Sequence, residues 1–361
     1  MQPVAPPVET DGLLVPIALE LAPIRSLLII DLADDPTYRT LEPQVLHDPA
    51  GDLVVLLTYR HDGHIELYAP SGRTIDSEGY DGLGQGLEIH HAPFELARFD
   101  VAVDGLKLDV ALTAANGRRF DLRLHEHLTG PRDRFPALAP VGSTFVAPEF
   151  FPFLWLPGLS FVPERGTEVD IRVDGQARSI QRLPLPLGGR RCLMARYDPD
   201  VLVCQLNPAS HRRPRRVPRR ASPAPHTDGI ELVQSGDGHG IAAVRVDRGG
   251  HSCAVLLDPP LSDLEALPNG AQRSGSVVLQ ADGGTELRAR YALERTEERV
   301  DLVVDGFTPW RTRTRRPLLA VLFRLPVFRA WPPTYRWDAT LDLTDTAPEP
   351  FTSRWSRSPA R

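Results

Sequence analysis

The chain has 361 residues, 42% hydrophobic and 24% charged, enough for two soluble globular domains. Its net charge of −6 argues against a nucleic-acid polyanion as the main partner. Lys107 is the only lysine, which excludes a P-loop or kinase site and leaves no activated lysine for pyridoxal phosphate or Schiff-base chemistry.

Cys192, Cys204 and Cys253 are odd in number and lack CxxC spacing. Buried free thiols in a reducing compartment are expected, not a disulfide framework or a cysteine zinc site. The N-terminus lacks the basic and apolar regions of a signal peptide, and Pro16, Glu20, Pro23 and Arg25 interrupt the greasy residues 13–30. A cytoplasmic protein with no membrane span is expected.

Residues 16–30 read as a helical segment. From 53 onward the dominant signal is period two. LVVLLTYR (53–60) and HIELYA (64–69) flank the turn His61-Asp62-Gly63. IDSEGYDGLGQGLEIHH (75–91) follows. Its glycines at 82, 84 and 86 do not complete GxGxxG, and Asp76, Glu78 and Asp81 do not match an EF-hand. It reads as a flexible loop at a cavity mouth, with Tyr80 as a ligand contact. Alternation puts Glu88 and His90 on one strand face and His91 on the other.

FELARFDVAV (94–103), LKLDVALTA (106–114) and RRFDLRLHEHL (118–128) are strands joined at Asp104-Gly105 and Asn116-Gly117. In the last of them His125 and His127 share a face. Were this strand to lie beside Glu88–His91, the histidines could converge on a metal or an acid–base site. A cupin would place a glutamate shortly after His-x-His, and the nearest one, Glu149, is distant. No metal is expected.

FFPFLWLPGLSF (150–161) is apolar without alternation, and its prolines argue against helix or central strand. Strands resume at 167–175, 192–198 and 201–206. The arginine- and proline-rich stretch 207–229 reads as a linker or solvated loop. At least six strands follow, including RVDLVVDG and YRWDATLDL. Short helices are expected at SDLEAL (262–267), with a Ser262–Glu265 capping box, and at RPLLAVLFRL (316–325). LFRLPVFRAWPPTYRW (322–337) matches the first aromatic run in style. Both runs are expected to wall an apolar pocket or to plug the junction of two halves.

The expected fold is mainly β and antiparallel, with few short helices. The expected domains are 1–206 and 230–361, linked by 207–229. The hairpins from LEIHHAPFELARFDVAVDG to FDLRLHEHL, followed by the second strand-rich half, resemble the two-domain lipocalin-like (calycin) proteins: carotenoid 1,2-hydratases, tocopherol cyclases and the pericyclase (Diels–Alderase) group. The likeness is one of architecture over most of the chain, and no catalytic residue is carried over. It implies two lipocalin-like barrels or sandwiches, and a cofactor-independent cyclase, hydratase or isomerase acting on an apolar isoprenoid, polyketide or lipid.

The candidate acid–base groups are His90, His125 and His127, with Glu88 or Glu149 as orienting partner. Phe150, Phe151, Phe153, Trp155, Trp331, Trp337 and Tyr80 are the expected pocket lining. Two alternatives stand beside this reading. One is a non-catalytic carrier of a hydrophobic ligand. The other is a carbohydrate-binding or carbohydrate-cleaving β-protein, with Trp155, Trp310, Trp331, Trp337 and Trp355 as stacking platforms. No GxSxG elbow is present.

Overall fold

The structure, a computed structural model, describes residues 12–48, 51–75, 80, 82–102, 105–127, 133–209, 214–219, 230–282, 284–310, 320–321, 323–344 and 350–358. Asp76, Glu78 and Asp81, and residues 316–319 of the expected helix, lie outside them.

The described chain is mainly β, arranged in four sheets. The simplest runs from Ile230 to Arg357. Its eight strands are Ile230–Gln234, Gly240–Arg248, His251–Ser262, Gln272–Ala281, Thr285–Arg295, Arg299–Asp305, Tyr335–Asp342 and Phe351–Arg357. Each pairs antiparallel with the next in sequence. Alternation buries one face: Val277, Leu279, Ala289, Tyr291, Leu293, Leu302, Val304, Trp337 and Ala339 all point into the core.

The first half is built differently. A ten-stranded sheet runs in the order Leu19–Leu21, Leu202–Leu206, Phe151–Pro163, Cys192–Asp198, Ile24–Asp31, Tyr38–Leu46, Leu53–Arg60, Ile65–Pro70 and Leu87–Ala92, with Phe135–Leu138 pairing alongside Phe151–Pro163. A five-stranded sheet, Gln176–Arg178, Thr167–Val173, Arg119–Glu126, Gly105–Thr113 and Phe94–Ala102, covers one face of it. Between the two lie Ile30, Leu41, Leu56, Leu108, Val110, Phe120, Leu122 and Leu124. This is a sandwich core. Among the described residues no sheet closes into a barrel.

Several sequence expectations are corrected. Residues 16–30 contain the strands Leu19–Leu21 and Ile24–Asp31, because the apolar residues there belong to a sheet buried on both faces. SDLEAL leaves its strand after Ser262 and forms a turn in which the Asp263 carboxylate accepts from the Glu265 N–H. The short helix after residue 320 spans Pro326–Arg329, so Pro326 opens it where the sequence pattern had it follow a helix end. Within the arginine-rich stretch, Arg215–Pro218 pairs with Gly12–Val15 and buries Val217.

The largest correction concerns FFPFLWLPGLSF. Phe151–Pro163 is a thirteen-residue interior strand of the ten-stranded sheet, third in its order. Phe151–Trp155 pair with Leu202–Leu206, whereas Ser160 and Phe161 pair with Tyr197 and Arg196. The ladder changes partner around Pro157-Gly158 and is bulged before Pro163. Pro152 stands next to the strand start and pairs with Gln205 within the first ladder, whereas Pro157 falls at the change of partner and Pro163 follows the bulge. Alternation is missing because both faces are buried.

One face of this strand carries the junction between the halves. Phe151 stacks on Phe307, with centroids 4.4 Å apart, and on Trp331 at 5.4 Å. Tyr335 and Trp355 close around it at 5.0 and 5.8 Å. Polar ties cross the same seam. Trp155 Nε1 donates to Asp282 (2.7 Å), Trp355 Nε1 to the Asn207 carbonyl (3.0 Å), and Arg248 to the carbonyls of Ala22, Ile24 and Val201.

Candidate functional site

Four adjacent strands place polar side chains at the edge of the first sandwich. Tyr38 comes from Tyr38–Leu46, Thr58 and Arg60 from Leu53–Arg60, Glu66 and Tyr68 from Ile65–Pro70, and Glu88 and His90 from Leu87–Ala92. Thr58 lies opposite Glu66 across an antiparallel pair. The last pair is parallel, and its register sets Glu66 opposite Glu88 and Tyr68 opposite His90. A parallel pair needs a crossover, which residues 71–86 supply. In that crossover Gly84 donates to the Thr144 carbonyl (2.6 Å) at φ +59°, and a Cβ there would overlap the Gly63 carbonyl.

Glu66 is buried and well partnered. One carboxylate oxygen, Oε2, accepts from the Tyr38 hydroxyl (2.8 Å) and the Tyr68 hydroxyl (2.7 Å), with the Thr58 hydroxyl at 3.5 Å. The other, Oε1, accepts from Arg60 at 3.2 Å. Burial alone would raise the Glu66 pKa, but the two tyrosines and Arg60 outweigh it and hold the carboxyl below its ordinary value. Burial, with the neighbouring carboxylate, pushes both tyrosine hydroxyls well above their usual range, so they remain donors. Phe120 packs on both rings, at 5.4 Å from Tyr38 and 5.0 Å from Tyr68.

His90 completes the corner. Its ring stacks on Tyr68 with centroids 5.0 Å apart and planes 24° from parallel. Nε2 is shielded from solvent and makes no hydrogen bond among the described residues, with the nearest Glu88 oxygen 3.7 Å away. The Glu88 side chain is 68% exposed, whereas that of His90 is 16% exposed. One ligand atom from each of Glu66, Glu88 and His90 lies within 4.8 Å of the other two.

The other sequence candidates lie elsewhere. His125 and the Asp109 carboxylate are 3.0 Å apart on the outer face of the five-stranded sheet, the side away from the sandwich core that His90 faces. His127 is exposed just beyond the end of the same strand, where its N–H donates to the Gly166 carbonyl. Glu149 is exposed. Phe150 packs on Phe145 (5.1 Å) in a third core on the opposite face of the large sheet. Tyr80 lies in that core too, its hydroxyl donating to Gln44 (2.7 Å). Phe151, Phe153, Trp155, Trp331 and Trp337 are each at most 3% exposed and belong to the core that joins the halves.

Sequence reasoning found Glu88 and His90 and missed Glu66, Tyr68 and Tyr38. The signal for two of these was available: alternation in HIELYA puts Glu66 and Tyr68 on one face, as it does Glu88 and His90. The parallel pairing that unites them has no local signature.

No protein-family model, no curated protein and no solved structure matches the chain.

Proposed function

We propose that the protein is an enzyme of the isomerase, hydratase or cyclase kind, with the Glu66–Glu88–His90 corner as its proton-transfer centre. The observation that carries this reading is the state of His90. Its Nε2 is sheltered from water, lacks a hydrogen-bond partner, and is oriented by stacking on a tyrosine that is itself tied to Glu66. Imidazole accepts and returns protons near neutral pH, and a positioned group of this kind contributes about 10²–10⁴-fold to rate. Glu88, 3.7 Å away, stabilises the charged ring as it forms.

The substrate is a small apolar molecule with one polarisable group, such as a carbonyl or an activated double bond. This class is carried over from the lipocalin-like resemblance. We carry over from the lipocalin-like resemblance the reaction class and a two-half β architecture. The three buried free thiols support work in a reducing compartment.

The test is proton exchange in deuterated water across a panel of enones, polyenes and polyketide precursors, followed by mass spectrometry. His90→Ala and Glu88→Gln should lower deuterium uptake on any accepted compound, His90→Ala by about a hundredfold or more. A folded His90→Ala protein with undiminished turnover would refute the assignment.

A further inference from the structure

We propose that Glu66, Glu88 and His90 together hold a divalent transition-metal ion, which makes the corner a metal centre. The inference rests on the reading that this corner is the functional centre, and it adds the chemical species that works there. Two carboxylates and one imidazole are a mixed oxygen–nitrogen set. Oxygen ligands alone suit calcium or magnesium, whereas an imidazole favours manganese, iron or zinc.

The geometry is close to what an ion needs. Ligand atoms about 2.1 Å from a common ion stand roughly 3–4 Å apart. The three atoms lie within 4.8 Å of one another, so they must draw in by about an ångström. Glu88, two-thirds exposed on an edge strand, supplies that movement by rotating its side chain. Glu66 and His90 are held from behind. Two tyrosine hydroxyls hold Oε2 of Glu66 and Arg60 holds Oε1 at 3.2 Å, which fixes the carboxylate. Stacking on Tyr68 fixes the His90 plane. Outer contacts of this kind orient ligands and govern affinity in metal centres.

The charges agree as well. Two carboxylates against Arg60, which reaches Glu66 Oε1 at 3.2 Å, leave the corner one negative charge in excess. A dipositive ion therefore meets attraction there. The ion also accounts for the bare His90 Nε2, since a buried nitrogen without a partner is costly. With three protein ligands, coordination positions stay open for water or a substrate oxygen. An ion so placed polarises a carbonyl or acidifies a bound water, and with His90 Nε2 taken up as a ligand it is that water, not the imidazole, that exchanges protons with the substrate.

The experiment is calorimetric titration of the full chain, stripped with a chelator, using zinc chloride and separately manganese chloride. The expected result is one ion bound per chain. His90→Ala and Glu88→Gln should each weaken binding at least about tenfold, with unchanged far-ultraviolet circular dichroism. His125→Ala, which removes the surface pair with Asp109, should change affinity less than about twofold. Absence of saturable binding of both ions to the folded wild-type chain overturns the proposal, as does binding indifferent to His90→Ala. Deuterium exchange separates the two claims. Turnover lost in His90→Ala without any saturable ion binding overturns the ion alone, whereas turnover indifferent to His90→Ala overturns the centre itself.

Discussion

Arg248→Met is the sharpest probe of how the two halves are held together. Arg248 ends the strand Gly240–Arg248 and reaches across the seam. Its Nη1 donates to the Ala22 carbonyl at 2.6 Å, and its Nη2 to those of Ile24 at 2.7 Å and Val201 at 3.2 Å. Burial pushes the guanidinium pKa down from its usual value, a sign that the charge is held at some cost. A hydrogen bond from a charged donor contributes about 1.5–3 kcal/mol, so two short bonds and one long one represent roughly 4–7 kcal/mol gross. Methionine keeps much of the apolar stem and removes the cost of burying a charge, which returns a few kcal/mol.

A net loss of about 3 kcal/mol follows for Arg248→Met. At a urea dependence of about 3 kcal/mol per molar, the unfolding midpoint should fall by about 1 M. Tryptophan fluorescence is the natural readout, because Trp155, Trp310, Trp331, Trp337 and Trp355 are all at most 5% exposed and share the core of the junction. Arg248→Lys should fall between wild type and methionine, since an ammonium cannot fork to three carbonyls. A methionine variant within about 0.5 kcal/mol of wild type would show that the aromatic packing alone holds the seam.

Two further outcomes follow from packing and burial. Glu42 is enclosed beside Gln44 and Tyr59, and burial pushes its carboxyl up to about 7 from its ordinary 4.5. The native state therefore binds a proton that the unfolded chain releases, and the stability tied to Glu42 is lost as pH rises from about 4.5 to 7. Glu42→Gln should remove that slope, which is worth roughly 2–3 kcal/mol in urea titrations at the two ends of the range. Gly142→Ala should destabilise by about 1–3 kcal/mol, because a Cβ there overlaps the Trp331 ring. Pairing Gly142→Ala with Trp331→Leu should recover part of the loss in thermal melts, and equal losses with and without the ring would refute the packing account.

Where one face of a strand meets solvent, the pattern was legible. Cys192–Asp198 matches its reading residue for residue, and the hairpin through Asn116-Gly117 falls where the turn residues put it. Legibility failed where strands are buried on both faces, as in Ile24–Asp31 and Phe151–Pro163, because apolar runs there carry no alternation. Face assignments within a strand survived, and partnership between strands did not. Glu88 and His90 do share a face, and so do Glu66 and Tyr68, but their meeting depends on a parallel register across a sixteen-residue crossover. His125 was a candidate because it alternates with His127, yet the register set it beside Asp109 on the outer surface. Reactive residue types are visible along a chain, and their company is decided by long-range pairing.

The order of synthesis gives the stacked seam a further meaning. The ten-stranded sheet cannot complete itself until Leu202–Leu206 has emerged to flank Phe151–Pro163, whereas each later strand pairs with its immediate predecessor and assembles as it appears. In the interval Phe151 and Trp155 stand uncovered, waiting for Phe307, Trp331 and Trp355 to arrive from the far end of the message. A ribosome stalled or a gene truncated before those rings would leave a sticky half-protein, so the seam ties solubility of the first half to production of the second.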